Sequence, residues 1–285
     1  MARIASDAIA LTSDPGYGDP VSERIILEVV DGIAYATLNR PDKLNALDLP
    51  MFHALASVPG EIAKDRSVRA VILQGGGTSF CSGLDFASVG ADQVGQIRGF
   101  AKLPVQTTNL YQKACWAWRE LPVPVLAVLR GHCFGGGMQL ALAADFRFSD
   151  PAAQFSIMET KWGLIPDMTG SVTLRELLPM DVAKRLTMTA EVFDGTRAKE
   201  LGLVTEVSDD PLSAAHELAA QLAAKSPDAI AATKKLFHDT WTESPRAAFW
   251  TESQLQLRLL LGKNHKIARA AGKAKELPKW VARSL

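Results

Sequence analysis

The chain has 285 residues, 47% hydrophobic and 22% charged, enough apolar material for one large core or one core with a helical appendage. Its 31 basic residues balance 31 acidic ones, so no global field draws it to nucleic acid or to an anionic membrane. The cysteines Cys81, Cys115 and Cys133 are odd in number and lack CxxC spacing, which argues against a disulfide framework or a structural zinc site and points to a reducing cytoplasm.

Residues 1–23 mix a short apolar run with Asp, Pro and Gly and lack the basic start and long apolar centre of a signal peptide, so they read as a flexible extension. Elsewhere charges and glycines interrupt the apolar runs before the roughly 20 residues a bilayer crossing needs. From Arg24 to Arg40, the β-rich runs IILEVV and IAYATLN flank Asp31-Gly32, a hairpin signal. Pro50 to Ala63 reads as a helix, and Arg69 to Gln74 as a buried strand running into Gly75-Gly76-Gly77. One long helix is expected from about Gly95 to Leu121, ending before Pro122, with a second buried strand over Val123 to Leu129. Gly135-Gly136-Gly137 then opens the helical MQLALAAD, which leads out to FRFSD. Strand, loop and helix in repetition predict an α/β core. Beyond about Asp209 helical patterns take over. The expected organisation is therefore an extension over 1–23, an α/β core over 24–209, and a helical region over 210–285 that packs on the core or on a neighbouring subunit.

Several catalytic signatures are absent: no GxGxxG follows a strand, and there is no GxxxxGK[ST], HExxH or GxSxG. The five histidines are scattered, so metal, nucleotide-cradle and serine-triad chemistry lose their support. What remains is two glycine loops, GGGTSFCSGLDF (Gly75 to Phe86) and GHCFGGGMQLALAADFRF (Gly131 to Phe148), each after a buried strand. Such clusters are ordinarily turns. They can also bring bare N–H groups close to a ligand, and the second opens a helix, whose N-terminus favours negative charge.

Phe80-Cys81-Ser82-Gly83-Leu84-Asp85 resembles the F-[CS]-[AS]-G-x-D motif of the crotonase (enoyl-CoA hydratase/isomerase) superfamily. Gly131 to Met138 resembles its G-x-x-x-G-G-G motif, in the same order and at a matching separation. LNRPDKLNALD (Leu38 to Asp48) is similar to the family's N-R-P-x-x-x-N-A-L segment, and GTRAKELGLVTEV (Gly195 to Val207) to its A-x-x-x-G-L-V element. The resemblance covers about residues 24 to 285. It implies an α/β crotonase-type spiral of repeated ββα units with a C-terminal helical region, and trimers that pair into hexamers. It also implies an acyl-CoA or enoyl-CoA substrate, with no metal and no cofactor other than the coenzyme A of the substrate.

Carried over residue by residue, the resemblance makes the N–H groups of Leu84 and Gly136 an oxyanion hole for the thioester. Lys43, Leu44, Ala46, Ser82, Asp85 and, more weakly, Lys279 beside Trp280 become CoA contacts. Two fixed donors suit the reaction, because removing a proton beside a thioester, or adding to its β-carbon, puts negative charge on the thioester oxygen. Each such donor is worth about 3 to 4 kcal/mol of barrier in a dry site.

A general base is still required. Glu159, in FSIMETKWGLIPDMTG, occupies the place of the family's catalytic glutamate, and Asp167 matches an aspartate of dienoyl-CoA isomerase-like members or else is a turn residue after Pro166. Gln139 departs from the pattern, since two-carboxylate hydratases carry a second glutamate there. Glutamine orients a water but has no useful basicity. Double-bond isomerisation by Glu159 alone is therefore favoured, with hydration by Glu159 and Asp167 and a non-catalytic acyl-CoA-binding relative as the alternatives. Acyl-chain length stays open.

Overall fold

In a computed structural model, the structure describes residues 23–285, so the extension expected over 1–23 lies, apart from Glu23, outside the described residues. The strands in chain order are β1 (Ile25–Val30), β2 (Ile33–Leu38), β3 (Ala70–Gly75), β4 (Val125–Leu129), β5 (His132–Phe134), β6 (Phe146–Ser149), β7 (Gln154–Ser156), β8 (Phe193–Asp194) and β9 (Glu206–Val207). The first two form the expected antiparallel hairpin. Asp31 and Gly32 turn it with φ of 51° and 78°, the consecutive left-handed conformations of a type I′ turn.

A six-stranded sheet runs β1-β2-β3-β4-β6-β9, parallel from β2 onward, and a three-stranded sheet runs β5-β7-β8. The chain sends β4 to the large sheet and β5 to the small one, passes through a helix, and repeats the move with β6 and β7. Isolated bridges, Leu47 with Leu84 and Cys81 with Cys133, provide matching pairings in the earlier loops. This is the spiral of ββα units that the glycine-loop motifs imply.

The helices are α1 (Leu49–Lys64), α2 (Phe86–Ala91), α3 (Gln93–Gly99), α4 (Leu110–Arg119), α5 (Gly136–Ala143), α6 (Gly170–Leu177), α7 (Met180–Thr189), α8 (Gly195–Glu200), α9 (Pro211–Ala223), α10 (Pro227–Thr240), α11 (Pro245–Leu261) and α12 (Lys263–Ala274). Both faces of the large sheet are covered. Val71 and Leu73 of β3 join a core that includes Met51, Phe52 and Leu55 of α1 and Trp118 of α4, whereas Ala70 and Ile72 join one closed by Ala215 and Ala219 of α9. The strand period of two sorts alternate residues to opposite faces, and covering both faces explains why β3 and β4 read as unbroken apolar runs.

The single helix expected from Gly95 to Leu121 is a correction: the chain stops at Gly99 and restarts at Leu110. Pro104 has no N–H and disfavours helical backbone at Leu103. Asn109 then starts α4 with a capping box, accepting from Gln112 N at 2.9 Å while the Gln112 side chain accepts from Asn109 N at 3.0 Å. The break leaves a stretch that walls one side of the cavity described below.

The C-terminal helices begin alike, with Asp210-Pro211, Ser226-Pro227 and Ser244-Pro245 each pairing a capping side chain with proline in the first turn. Of the two packings expected for residues 210–285, the one on the core is present. The α9 helix covers the sheet, and the buried Arg283 guanidinium donates to Ala63 O at 3.2 Å and Val68 O at 3.3 Å. Among the described residues no helix is long and apolar enough to cross a membrane.

Candidate active site

The second glycine loop carries the chain from β5 into α5. Gly135 adopts φ 51° and ψ −120°, a conformation open essentially to glycine, and its carbonyl accepts the Gln139 N–H at 3.0 Å to begin the helix. The Gly136 N–H is thereby the first of α5 and has no acceptor within it. A Cβ on Gly136 would lie 2.8 Å from Leu47 Cδ1 and 2.9 Å from Met168 Sδ, so a side chain there would crowd both neighbours.

Leu84 is presented by a short parallel bridge. Leu47 N donates to Gly83 O at 2.8 Å and Asp85 N to Leu47 O at 3.0 Å, which leaves the N–H of Leu84 itself facing away from Leu47. Neither the Leu84 nor the Gly136 N–H donates a hydrogen bond within the described chain. Both residues line one cavity of about 480 Å³, which Ser82, Gln139, Glu159 and Asp167 also line. The structure thus gathers Ser82 and Asp167, 85 positions apart in the sequence, and the residues between them named above into a single space.

Glu159 follows β7 and opens a short 3-10 helix, Glu159–Trp162, with 8% of its surface exposed. Gln139, in the first turn of α5, is held on three sides. Its Oε1 accepts from Met168 N at 2.8 Å and Gly170 N at 3.1 Å, and with the oxygen fixed its Nε2 donates to Glu159 Oε1 at 2.5 Å. Glu159 Oε2 is buried with no hydrogen-bond partner among the described residues. A buried polar atom without a partner costs about 1 to 3 kcal/mol, and more when charged, so a substrate proton or a water is the natural occupant of that position.

Burial pushes the Glu159 carboxyl above its ordinary range, and the nearby Asp167 charge adds to this, against hydrogen bonds from its own backbone N–H and from Gln139. Asp167 is also pushed up, chiefly by burial. Among the described residues no Lys, Arg or His lines the cavity. The result is a pair of carboxyl groups in an apolar space whose basicity is raised toward neutral pH, as general acid–base chemistry requires.

Of the residues assigned to CoA by resemblance, Ser82 lines the cavity, whereas Lys43, Leu44 and Ala46 do not; they are joined to it through Ser82, whose N donates to Leu44 O at 3.0 Å and whose Oγ donates to Lys43 O at 3.4 Å. Leu44, in a left-handed conformation with φ 50°, carries strain of about 1 to 3 kcal/mol, a common property of ligand-contacting loops. Asp85 instead faces inward, where its carboxylate accepts from Arg40 Nη2 and Ser88 Oγ, both at 2.7 Å. The Ser88 hydrogen bonds, with the Arg40 charge beside them, hold it down at about 2 despite burial. Lys279 is not among the cavity-lining residues, and its neighbour Trp280 donates to Ala224 O at 3.0 Å.

The sequence model of the enoyl-CoA hydratase/isomerase family matches residues 28–281. The chain belongs to this family. Its members include the carnitinyl-CoA dehydratase of Citrobacter koseri, 34% identical over 72% of this chain and 76% of that protein. The mitochondrial Delta(3,5)-Delta(2,4)-dienoyl-CoA isomerase of Rattus norvegicus is 32% identical over 71% of this chain and 64% of its own. An enoyl-CoA hydratase from Polaromonas sp. JS666 superposes with a TM-score of 0.80 at 29% identity, over 90% of this chain and 99% of the other. The crotonase-type fold expected from the motifs is the fold of the family.

Two sets of residues at the site escaped the sequence reading. Arg40 donates to Ala46 O at 2.9 Å and to Asp85, lies 3.4 Å from Asp48, and so ties the Lys43–Ala46 segment to the Leu84 loop. Its signal was present, since Arg40 stands inside the quoted N-R-P segment. The apolar wall of Phe52, Phe100 and Tyr111 had no such signal, because Phe52 belongs to α1 and the others to the stretch interrupted at Pro104.

Proposed function

We propose that the chain acts on an enoyl-CoA thioester, holding the thioester oxygen on the N–H groups of Leu84 and Gly136 while Glu159 moves a proton on the acyl carbons. The observation that carries this reading is Glu159 Oε2, without a partner among the described residues, in the same cavity as two N–H groups that donate to nothing among those residues. Enolate charge developing on the oxygen is stabilised by two preorganised donors, each worth about 3 to 4 kcal/mol once the substrate fills the site.

Migration of the double bond between the 3,4 and 2,3 positions is the favoured reaction. Glu159 takes a proton from one carbon and returns it to the other, which needs one carboxylate. Gln139 supports this assignment: its amide is fixed by two backbone N–H groups and holds Oε1, so Oε2 is the atom left to carry the proton. Hydration is the second reading, with Asp167 as the second carboxyl; what favours it is that Asp167 lines the same cavity and is itself raised. Supplying the purified chain with 3-enoyl-CoA and with trans-2-enoyl-CoA separates them. Faster conversion of the first supports isomerisation, and rapid formation of 3-hydroxyacyl-CoA from the second supports hydration.

Assembly into a homotrimer or a pair of trimers belongs to the same proposal. The α11 helix leaves Phe249, Trp250, Leu257 and Leu261 more than half exposed, an apolar surface of the kind that subunits cover. Light scattering that shows a monomer at micromolar concentration contradicts it.

A further inference from the structure

The walls of the cavity carry information about the acyl group. On one side Tyr111 stands between Phe52 and Phe100, its ring centroid 4.8 Å from each, edge-on to the first and tilted against the second. Phe86 and Trp162, which also line the cavity, form a tilted pair at 4.6 Å. Leu47, Leu164, Ile165 and the two methionines Met158 and Met168 complete an apolar lining. Phe52 is fully buried, whereas Phe100 is 54% exposed, so the wall has a fixed inner part and an outer part at the surface.

Volume sets a lower limit on what this lining is built for. A cavity of about 150 Å³ suffices for benzene. The roughly 480 Å³ here is about three such volumes, shared between the acyl group and the thiol arm that enters with it. A butenoyl group would leave part of that space to water against aromatic faces.

Charge and hydrogen bonding restrict the occupant further. Among the described residues the ionisable side chains that line the cavity are two carboxyls, Glu159 and Asp167, with the Tyr111 phenol, and no Lys, Arg or His lines it with them. An acyl group ending in a carboxylate would meet like charge without a counterion. Most polar groups on the wall are already used. The Tyr111 hydroxyl donates to Gln96 O at 3.0 Å, and the Gln139 amide makes three hydrogen bonds.

We infer that the acyl group this cavity takes is bulky and not anionic, with apolar bulk beyond the reacting carbons that a four-carbon chain lacks. The inference rests on the CoA-thioester reading above. Phe52, Phe100 and Tyr111 are its specificity-determining residues, and they act by contact area and ring geometry.

Saturated thioesters test it without depending on which reaction is catalysed. Dissociation constants are measured by calorimetry on the full chain for butanoyl-, octanoyl-, 3-phenylpropanoyl-, glutaryl- and 4-(trimethylammonio)butanoyl-CoA. A methylene moved from water is worth about 0.8 kcal/mol, or about fourfold, so octanoyl- or 3-phenylpropanoyl-CoA should bind at least about tenfold more tightly than butanoyl-CoA. Glutaryl-CoA should bind more weakly than butanoyl-CoA. Tightest binding of butanoyl-CoA or of glutaryl-CoA overturns the inference and leaves the thioester reading standing. Failure of all five to bind overturns the thioester reading and the inference together. In Phe100→Ala, whose surface position spares the core, the octanoyl-to-butanoyl preference should fall at least about threefold, and an unchanged preference removes Phe100 from the wall.

Discussion

The α5 helix lies between two carboxylates that the fold treats in opposite ways. Glu159 meets its first turn through Gln139, and Asp145 stands two residues beyond its last residue, Ala143. Both are largely shielded from water, and burial raises the pKa of each. At Asp145 the partners outweigh burial: Lys234 Nζ and Val125 N both donate to Oδ2 at 2.7 Å, and His238 Nε2 lies 3.4 Å from Oδ1, so the carboxyl ends below its ordinary range. At Glu159 the single side-chain donor is an uncharged amide, one oxygen is left bare, and the carboxyl ends above it. Depth alone does not decide the charge of a buried acid. What decides it is whether the fold supplies a cation, and here the fold supplies one at the structural site and withholds it at the cavity.

The largest effect should come from Glu159. Replacement by Gln keeps the shape and the contact with Gln139 but removes the base, and turnover should fall at least about 100-fold in steady-state assays. The same variant should be more stable than the parent at neutral pH. A carboxyl raised in the folded chain holds its proton longer there than in the unfolded chain, so its contribution to stability is lost as pH rises from its ordinary 4.5 through the raised value. Melting temperatures should therefore favour Glu159→Gln at pH of about 7 to 8, with the advantage shrinking toward pH of about 4.

Asp145→Ala should behave in the reverse manner. It leaves Lys234, whose side chain is 7% exposed, without its partner and should cost about 3 to 5 kcal/mol in chemical denaturation, while molecules that remain folded keep their turnover. The sign with pH also reverses: the lowered Asp145 stabilises the fold above its ordinary 3.8, and that contribution disappears as pH falls through the lowered value. Loss of activity without loss of stability would break the contrast between the two carboxylates.

Smaller effects sharpen it. Gln139→Glu can keep one oxygen on Met168 N and Gly170 N and turns the other toward Glu159, which restores a second acid/base group beside the water position. The ratio of hydration to isomerisation should rise at least about tenfold, the lower part of what one acid/base group contributes being about 100-fold. Asp167→Asn should lower isomerisation by less than Glu159→Gln does, and a loss as large as that of Glu159→Gln makes Asp167 a second proton carrier.

Much of this was legible in the sequence because it is local. Asp31-Gly32 needs two left-handed residues, the runs RAVILQ and VPVLAVL are unbroken because both sheet faces are covered, and Gly135-Gly136-Gly137 reports a positive φ at Gly135 followed by two positions where a Cβ would crowd its neighbours. Glu159 was found by resemblance, and its buried, bare oxygen was not foreseeable from neighbours in sequence. The helix expected over Gly95 to Leu121 failed for a local reason that was present in the residues: Pro104 and the Asn109-to-Gln112 capping box. Other features are out of reach because they join distant segments. Asp145 meets Lys234 across 89 residues, and Arg40 meets Asp85 across 45. The cavity wall likewise pairs Phe52 of α1 with Tyr111 of α4, and no periodicity in either helix announces the other.

Solvent-proton exchange tests the central claim, that Glu159 alone moves the proton, most directly. Incubation of 3-enoyl-CoA with the chain in deuterium oxide, read by mass spectrometry and proton NMR, should show deuterium entering the α or γ carbon with double-bond migration, at a rate that rises with pH through the raised Glu159 carboxyl. Glu159→Gln should abolish both incorporation and migration, and Asp167→Asn should retain both. Undiminished exchange in Glu159→Gln, or rapid addition of water to trans-2-enoyl-CoA by the unaltered chain, contradicts the account.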